Sequence, residues 1–231
     1  DILRGLASVP DSFAETGTVV TIGVFDGVHR GHQLLISKAV ETAREAGTPC
    51  VVMTFDPHPV TFSPPARAPG ARMPLEERAR HIADLGVDAL LVIDLRQEIG
   101  GLTPAQYMTE VLVDTLHARH VLVGENFTFG RDAAGTATTM AQLGEQAGVD
   151  VSVVTLLGDG DVRICSTAIR DHLFGGNVDL ATDFMGRPFS VIAPIERGAG
   201  RGGKELGYPT ANQYASDTAA VPADGVYAGW L

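Results

Sequence analysis

Three short stretches hold residue types suited to phosphate chemistry. The first runs Gly23-Val24-Phe25-Asp26-Gly27-Val28-His29-Arg30-Gly31-His32. Its H-x-G-H spacing brings His29 and His32 to one place, and imidazole N–H groups donate to phosphate oxygens and stabilise the extra charge of a phosphoryl transition state. Gly31 beside His32 carries no Cβ to hold a phosphate away. The same histidines suit zinc, but no third His, Cys or carboxylate stands nearby at ligand spacing. The plainer alternative is a pair of loop histidines without a role. The second stretch is Cys165-Ser166-Thr167-Ala168-Ile169-Arg170, which reads as the start of a short helix. Ser166 or Thr167 caps it, and its first-turn N–H groups are open to phosphate. Arg170, one turn on, reaches the same phosphate as a planar and permanently charged fork. Taken alone, this stretch is equally a helix cap with a surface arginine. The third is Gly124-Glu125-Asn126-Phe127-Thr128-Phe129-Gly130. Asn126 both donates and accepts hydrogen bonds, which suits the edge of a nucleotide base or a flavin; the alternative makes it a turn residue between two core phenylalanines.

The elements that would position these groups follow from periodicity. Val19, Val20, Ile22 and Val24 form a β-branched run fit for a doubly buried strand. A polar loop carrying Asp26, His29 and His32 follows, and from about Gln33 a helix places Leu35, Ile36, Ala39, Val40 and Ala43 on one face. Gly47 and Pro49 stop it. Further strands are expected at residues 50–55, 87–94, 120–123 and 149–156. Helices are expected over 75–85, from the Thr103-Pro104 cap onward, and over 138–147. The Tyr107 and Met108 side of the middle helix reads as core rather than cofactor contact, and residues 1–18 as an irregular lead-in. Alternation of strand and helix from Val19 to Arg170 makes the fold α/β with a mostly parallel sheet and right-handed crossovers. Loops at the carboxyl ends of such strands share one rim, so Asn126 should face the two histidines.

Composition narrows the function. With 17 basic and 28 acidic residues the net charge is −11, and no basic run occurs, which argues against nucleic acid and an anionic membrane surface. No apolar stretch approaches transmembrane length and no signal peptide is visible. Two cysteines, Cys50 and Cys165, make no disulfide framework, which fits a reducing cytoplasm. The sequence leaves the oligomeric state open, a homo-oligomer included.

G-x-F-D-G-V-H-x-G-H resembles the signature of bacterial FAD synthetases, bifunctional enzymes that join an FMN adenylyltransferase to a riboflavin kinase. Thr54-Phe55-Asp56-Pro57-His58-Pro59 resembles that family's second motif, although on its own it reads as a proline-stiffened turn with an exposed histidine. G-x-N-F-x-F-G resembles the third motif. The fourth is S-S-T-x-I-R, where Cys165 replaces the first serine. The resemblance implies a Rossmann-like nucleotidyltransferase domain over residues 1–186. It implies ATP binding by Gly23, Phe25, Asp26, Gly31, His32, Ser166, Thr167 and Arg170, with His29, His32 and Arg170 catalytic. It implies flavin binding by Phe55, Asp56, Pro57, His58, Pro59 and Asn126.

Near Gly186-Arg187-Pro188 the composition turns to glycine, proline and short β-branched runs, with a strand expected over Phe189–Ile195. Gly198–Lys204 fits G-x-G-x-x-G and nearly fits a P-loop, but Gly207-Tyr208-Pro209 follows where a helix should begin and Glu205 stands where Ser or Thr should hold magnesium. Gly207-Tyr208-Pro209-Thr210-Ala211-Asn212 resembles the riboflavin kinase motif, which implies that Thr210 and Asn212 contact the nucleotide and its magnesium. Residues 187–231 are thus expected to start a small antiparallel β-barrel. With the barrel's later strands and glutamate not in the sequence, no kinase activity is expected from the chain as it stands. The implied substrates are ATP, FMN and riboflavin, with Mg2+, and the implied place is FAD biosynthesis in the cytoplasm. The alternatives are adenylylation of another phosphomonoester, such as pantetheine phosphate or nicotinamide mononucleotide, and a flavin- or nucleotide-binding module without turnover.

Overall fold

The computed structural model describes residues 1–59, 73–155, 157–159, 162–197, 207, 210–215 and 219–230. The Gly198–Lys204 run lies outside the described residues.

A six-stranded sheet organises the chain. In chain order its strands are β1 (Ile2–Arg4), β2 (Thr18–Ile22), β3 (Cys50–Phe55), β4 (Ala89–Ile93), β5 (Ala118–Gly124) and, after two short strands described below, β8 (Asp150–Val154). Their order in space is β1-β4-β3-β2-β5-β8, and every pairing is parallel. All residues of β2, β3 and β4 are buried, because helices cover both faces. On one face α2 (Arg30–Ala46) and α3 (Leu75–Ala83) pack Leu35, Ile36, Ala39 and Ile82 against Val19, Val52, Leu90 and Val92. On the other, α4 (Pro104–Gln106) with its continuation, and α5 (Ala137–Ala147), pack Met108, Leu112 and Met140 against Val20, Met53, Leu91 and Val121. Each such fully buried aliphatic side chain contributes roughly 1.5–3 kcal/mol.

From β2 the chain steps through β3 to β4, then crosses back to β5 on the far side of β2. That reversal is a switch point, and the crevice outside the carboxyl ends of β2 and β5 is where a ligand fits. The loop after β2 carries the histidines and the loop after β5 carries Asn126.

Several local expectations need correction. Residues 1–18 are not irregular: β1 adds an edge strand beside β4, and α1 (Ser12–Thr16) buries Phe13. Three residues are too few to show periodicity; β1 is held by pairing with β4 and by Leu3 against the core. Helix α2 starts at Arg30, not near Gln33, so Gly31 and His32 belong to its first turn. The Thr103 cap holds as a capping box, its hydroxyl accepting from the Gln106 N–H and Gln106 Oε1 accepting from the Thr103 N–H. Beyond Gln106 the helix widens to a π-type coil over Tyr107–Thr115.

Two ribbons follow β5, β6 (Thr128–Phe129) with β7 (Gly135–Thr136), and β9 (Gly158–Asp159) with β10 (Val162–Arg163). Helices α6 (Ser166–Phe174) and α7 (Val178–Met185) form a satellite core around Ile164, Ile169, Leu173, Phe184 and Met185. The strand expected at Phe189–Ile195 does not form as such. Among the described residues of this segment, only β11 (Ile195–Glu196) pairs, antiparallel, with β12 (Asn212–Gln213).

Candidate active site

The histidine loop is bound on every side. Phe25 and Val28 adopt left-handed backbone, φ 52° and 38°, an uncommon conformation for bulky and β-branched residues. Contacts to carbonyls hold it. Thr54 Oγ1 and Arg78 Nη1 donate to the Val24 carbonyl at 3.0 and 2.7 Å, and Arg78 Nη2 donates to the Phe55 carbonyl at 3.0 Å. Arg78 thus ties the loop after β2 to the carboxyl end of β3, buried at 3% exposure.

His29 is the N-cap of α2. Its Nδ1 accepts the His32 N–H at 3.3 Å, one of the helix donors with no partner inside the helix. Its proton, when neutral, therefore sits on Nε2. The His29 and His32 rings stack with centroids 3.6 Å apart, and Phe25 meets His32 edge-on at 5.2 Å. A Cβ on Gly31 would lie 3.2 Å from the His29 ring, so the glycine makes room for the imidazole itself. Burial first, and the Arg187 charge second, push His29 down to about 4. His32 is also held well below the usual histidine range, by burial and then by His29 and Arg78. Both are neutral donors near pH 7. Positive charge for a phosphate must come from elsewhere.

A cavity of about 670 Å³ opens at the switch point. Gly23, Phe25, His29, Gly31 and His32 line it, with Phe55, Pro59 and Asn126 from the other loops and Ser166 and Thr167 from the start of α6. The H-x-G-H turn and the first turn of α6 thus share one space, each offering helix-start N–H groups. One end is aromatic and aliphatic, with Tyr107, Phe127, Phe129, Leu95 and Ile99. The Tyr107 hydroxyl is buried without a partner among the described residues. Tyr107 was expected to be core alone; it packs in the core and also lines the cavity. Its place at the start of the π-type coil is the signal that spacing could not give.

Arg170 lies differently from expectation. Its Nη1 pairs with Asp26 Oδ2 at 3.2 Å, both side chains nearly buried, and it lines an adjoining cavity of about 360 Å³. Asp26, Asp56, Pro57 and His58 line that second cavity as well, and Ser166 lines both. Asp26 also accepts the Met73 N–H at 2.9 Å, and its carbonyl accepts from Ser166 Oγ at 3.0 Å. Asp26 is therefore a tie between the loop and α6. The expected cap of α6 is also displaced: Cys165 is the N-cap and makes no capping bond, while Ser166 and Thr167 are the first helical residues. Asn212 opens β12 and Thr210 stands two residues before it; neither lines either cavity.

Fold and site together define an α/β domain with a parallel sheet and a ligand-sized cleft between two helix starts at its switch point. Comparison with known proteins then fixes the family. A family model described as FAD synthetase matches residues 12–168, and one described as riboflavin kinase matches residues 185–231. The bifunctional riboflavin kinase/FMN adenylyltransferase of Escherichia coli K12 is 34% identical over 98% of this chain and 72% of its own length. The protein of the same name from Pseudomonas fluorescens is 35% identical over 98% of this chain and 71% of its length. A solved structure from Streptococcus pneumoniae, described as a macrolide-efflux protein, superposes with TM-score 0.84 at 30% identity, covering 98% of this chain and 72% of that one. The chain belongs to the FAD synthetase family, which places it in FAD biosynthesis. Among the described residues no helix is long and apolar enough to cross a membrane.

Proposed function

We propose that the chain transfers AMP from ATP to FMN, giving FAD and pyrophosphate. A phosphate oxygen of FMN attacks the α-phosphorus in line, and the bond from that phosphorus to the bridging oxygen of the β-phosphate breaks. The nucleophile is already anionic near pH 7, so catalysis is positioning and charge stabilisation rather than proton removal. The observation that carries the reading is the single cavity joining both helix starts to an aromatic end.

His29, through Nε2–H, and His32 donate to the triphosphate and the pentacoordinate state. The first turn of α6, with Ser166 and Thr167, holds the departing β- and γ-phosphates. Gly23, Phe25 and Gly31 shape the nucleotide's approach. Asn126, Phe55 and Pro59 place the flavin, whose ring occupies the end lined by Tyr107 and Phe129. Arg170 acts through Asp26 and the start of α6 until a ligand draws it over, and the Asp56-Pro57-His58 turn borders the site from the adjoining cavity.

Magnesium enters as part of the ATP substrate complex. The triphosphate oxygens are hard ligands that suit it. We further assign residues 1–186 to the adenylyltransferase unit and 187–231 to a riboflavin kinase-like segment. There Thr210 and Asn212 supply neutral oxygens to a second nucleotide and its magnesium.

The test offers ATP and magnesium with FMN, pantetheine phosphate or nicotinamide mononucleotide. FAD and pyrophosphate in equal amounts support the assignment. Product from pantetheine phosphate but not FMN reverses the acceptor. Tight FMN binding without pyrophosphate release makes the chain a flavin-binding module.

A further inference from the structure

One cation outside the recognised motifs grips the histidine loop. Arg187 belongs to the segment matched by the riboflavin kinase model, yet its guanidinium turns back onto the loop before α2. Nη2 donates to the Gly27 carbonyl at 2.6 Å, and Nη1 to the Val28 carbonyl at 2.9 Å and the Met185 carbonyl at 3.4 Å. Gln33 Nε2 reaches the Val28 and Met185 carbonyls at 2.8 and 2.9 Å. These contacts bracket the two left-handed residues before His29, with φ 78° at Gly27 and 38° at Val28. Gly27 takes this backbone freely, but Val28 keeps it only where its surroundings over-determine it.

We propose that Arg187 is a positioning residue for adenylyl transfer, holding the Gly27 and Val28 carbonyls so that His29 meets the reacting phosphate. A planar fork bonds both carbonyls in one fixed geometry, whereas a lysine ammonium is a compact charge on a flexible stem. The adenylyl site is then completed by the first residues of the kinase-like segment. This inference rests on the adenylyltransferase reading for its catalytic part, while the clamp itself has a readout of its own. The groups acting electrostatically on the imidazoles are Arg187 on His29, and His29 and Arg78 on His32.

The experiment compares the parent chain with Arg187→Ala, Arg187→Lys, Gln33→Ala and the Arg187→Ala/Gln33→Ala double variant. Arg187→Ala is expected to lower kcat for FAD formation roughly tenfold or more, the scale of a sub-ångström misplacement, with KM for FMN within about twofold. Arg187→Lys, retaining the charge without the fork, should recover part of that loss, and the double variant should lose less than the product of the single losses, since both side chains hold the Val28 and Met185 carbonyls. Amide exchange in the peptide spanning Gly23–His29 should quicken in Arg187→Ala while β5 and α5 stay protected. Unchanged exchange in that peptide, or kcat within about threefold of an active parent, overturns the proposal. A general loss of protection that Arg187→Lys does not relieve also overturns it. A parent that makes no FAD refutes the adenylyl reading alone, and the exchange comparison still decides whether the clamp exists.

Discussion

At the scale of the residue, the site depends on two imidazoles kept uncharged. His29 is depressed to about 4 by burial and by Arg187, and His32 is depressed as well. An unfolded histidine takes its proton near 6.5. Between roughly 6.5 and 4 the unfolded chain therefore binds more protons than the folded one, and stability falls as pH falls. This contribution is complete above about 6.5. Denaturant unfolding at pH 7, 6 and 5 should show the decline. His29→Gln should flatten it by up to about 1.4 kcal/mol per pH unit. Gly31→Ala should cost about tenfold in FAD formation or more, because its Cβ presses on the His29 ring at 3.2 Å. Steady-state kinetics on a variant with an unchanged melting temperature would check it. The identities of these residues were legible from H-x-G-H. Their neutrality, tautomer and stacking were not, since those come from the packing of Phe25, Arg78 and Arg187 around them.

Between elements, the ties between loops and helices decide whether the cleft exists. Asp26 joins the loop after β2 to α6 across a long sequence separation, through Arg170 Nη1 and Ser166 Oγ. Asp26→Asn leaves Arg170 without its partner in a nearly buried place and should destabilise the chain by about 3 kcal/mol, read as a shift in denaturant midpoint. Cys165 caps α6 without a capping bond, so Cys165→Ser should add about 1 kcal/mol, read as a rise in Tm. Periodicity located α2, α3, α5 and the central strands well, because each has a long apolar face. It missed β1, which is three residues long and held by pairing with β4. It placed the start of α2 too late because a histidine cap and an Arg-Gly first turn carry no apolar signal. Pairing with Asp26 could not be foreseen from a motif that reads Arg170 as a free phosphate ligand.

For the whole molecule, the parallel sheet and the shared rim of the loops after β2 and β5 follow from the alternation of strand and helix. That much was legible from order alone, whereas the strand order that makes the switch point was not. The adjoining cavity was not, because it lies among loop residues such as Asp56 and His58, α6, and the chain beyond α7. The riboflavin kinase-like part was legible only by its motif, since its glycine-rich runs carry no periodicity. The central claim is that one cavity seats both ATP and FMN for adenylyl transfer. It is tested most directly by flavin fluorescence after ATP and magnesium are added to the chain with FMN, comparing the parent with His29→Ala. The account predicts a fall in fluorescence matched by FAD and pyrophosphate in the parent, slowed about a hundredfold in the variant. Equal rates in the two proteins, or no pyrophosphate from the parent, would contradict it.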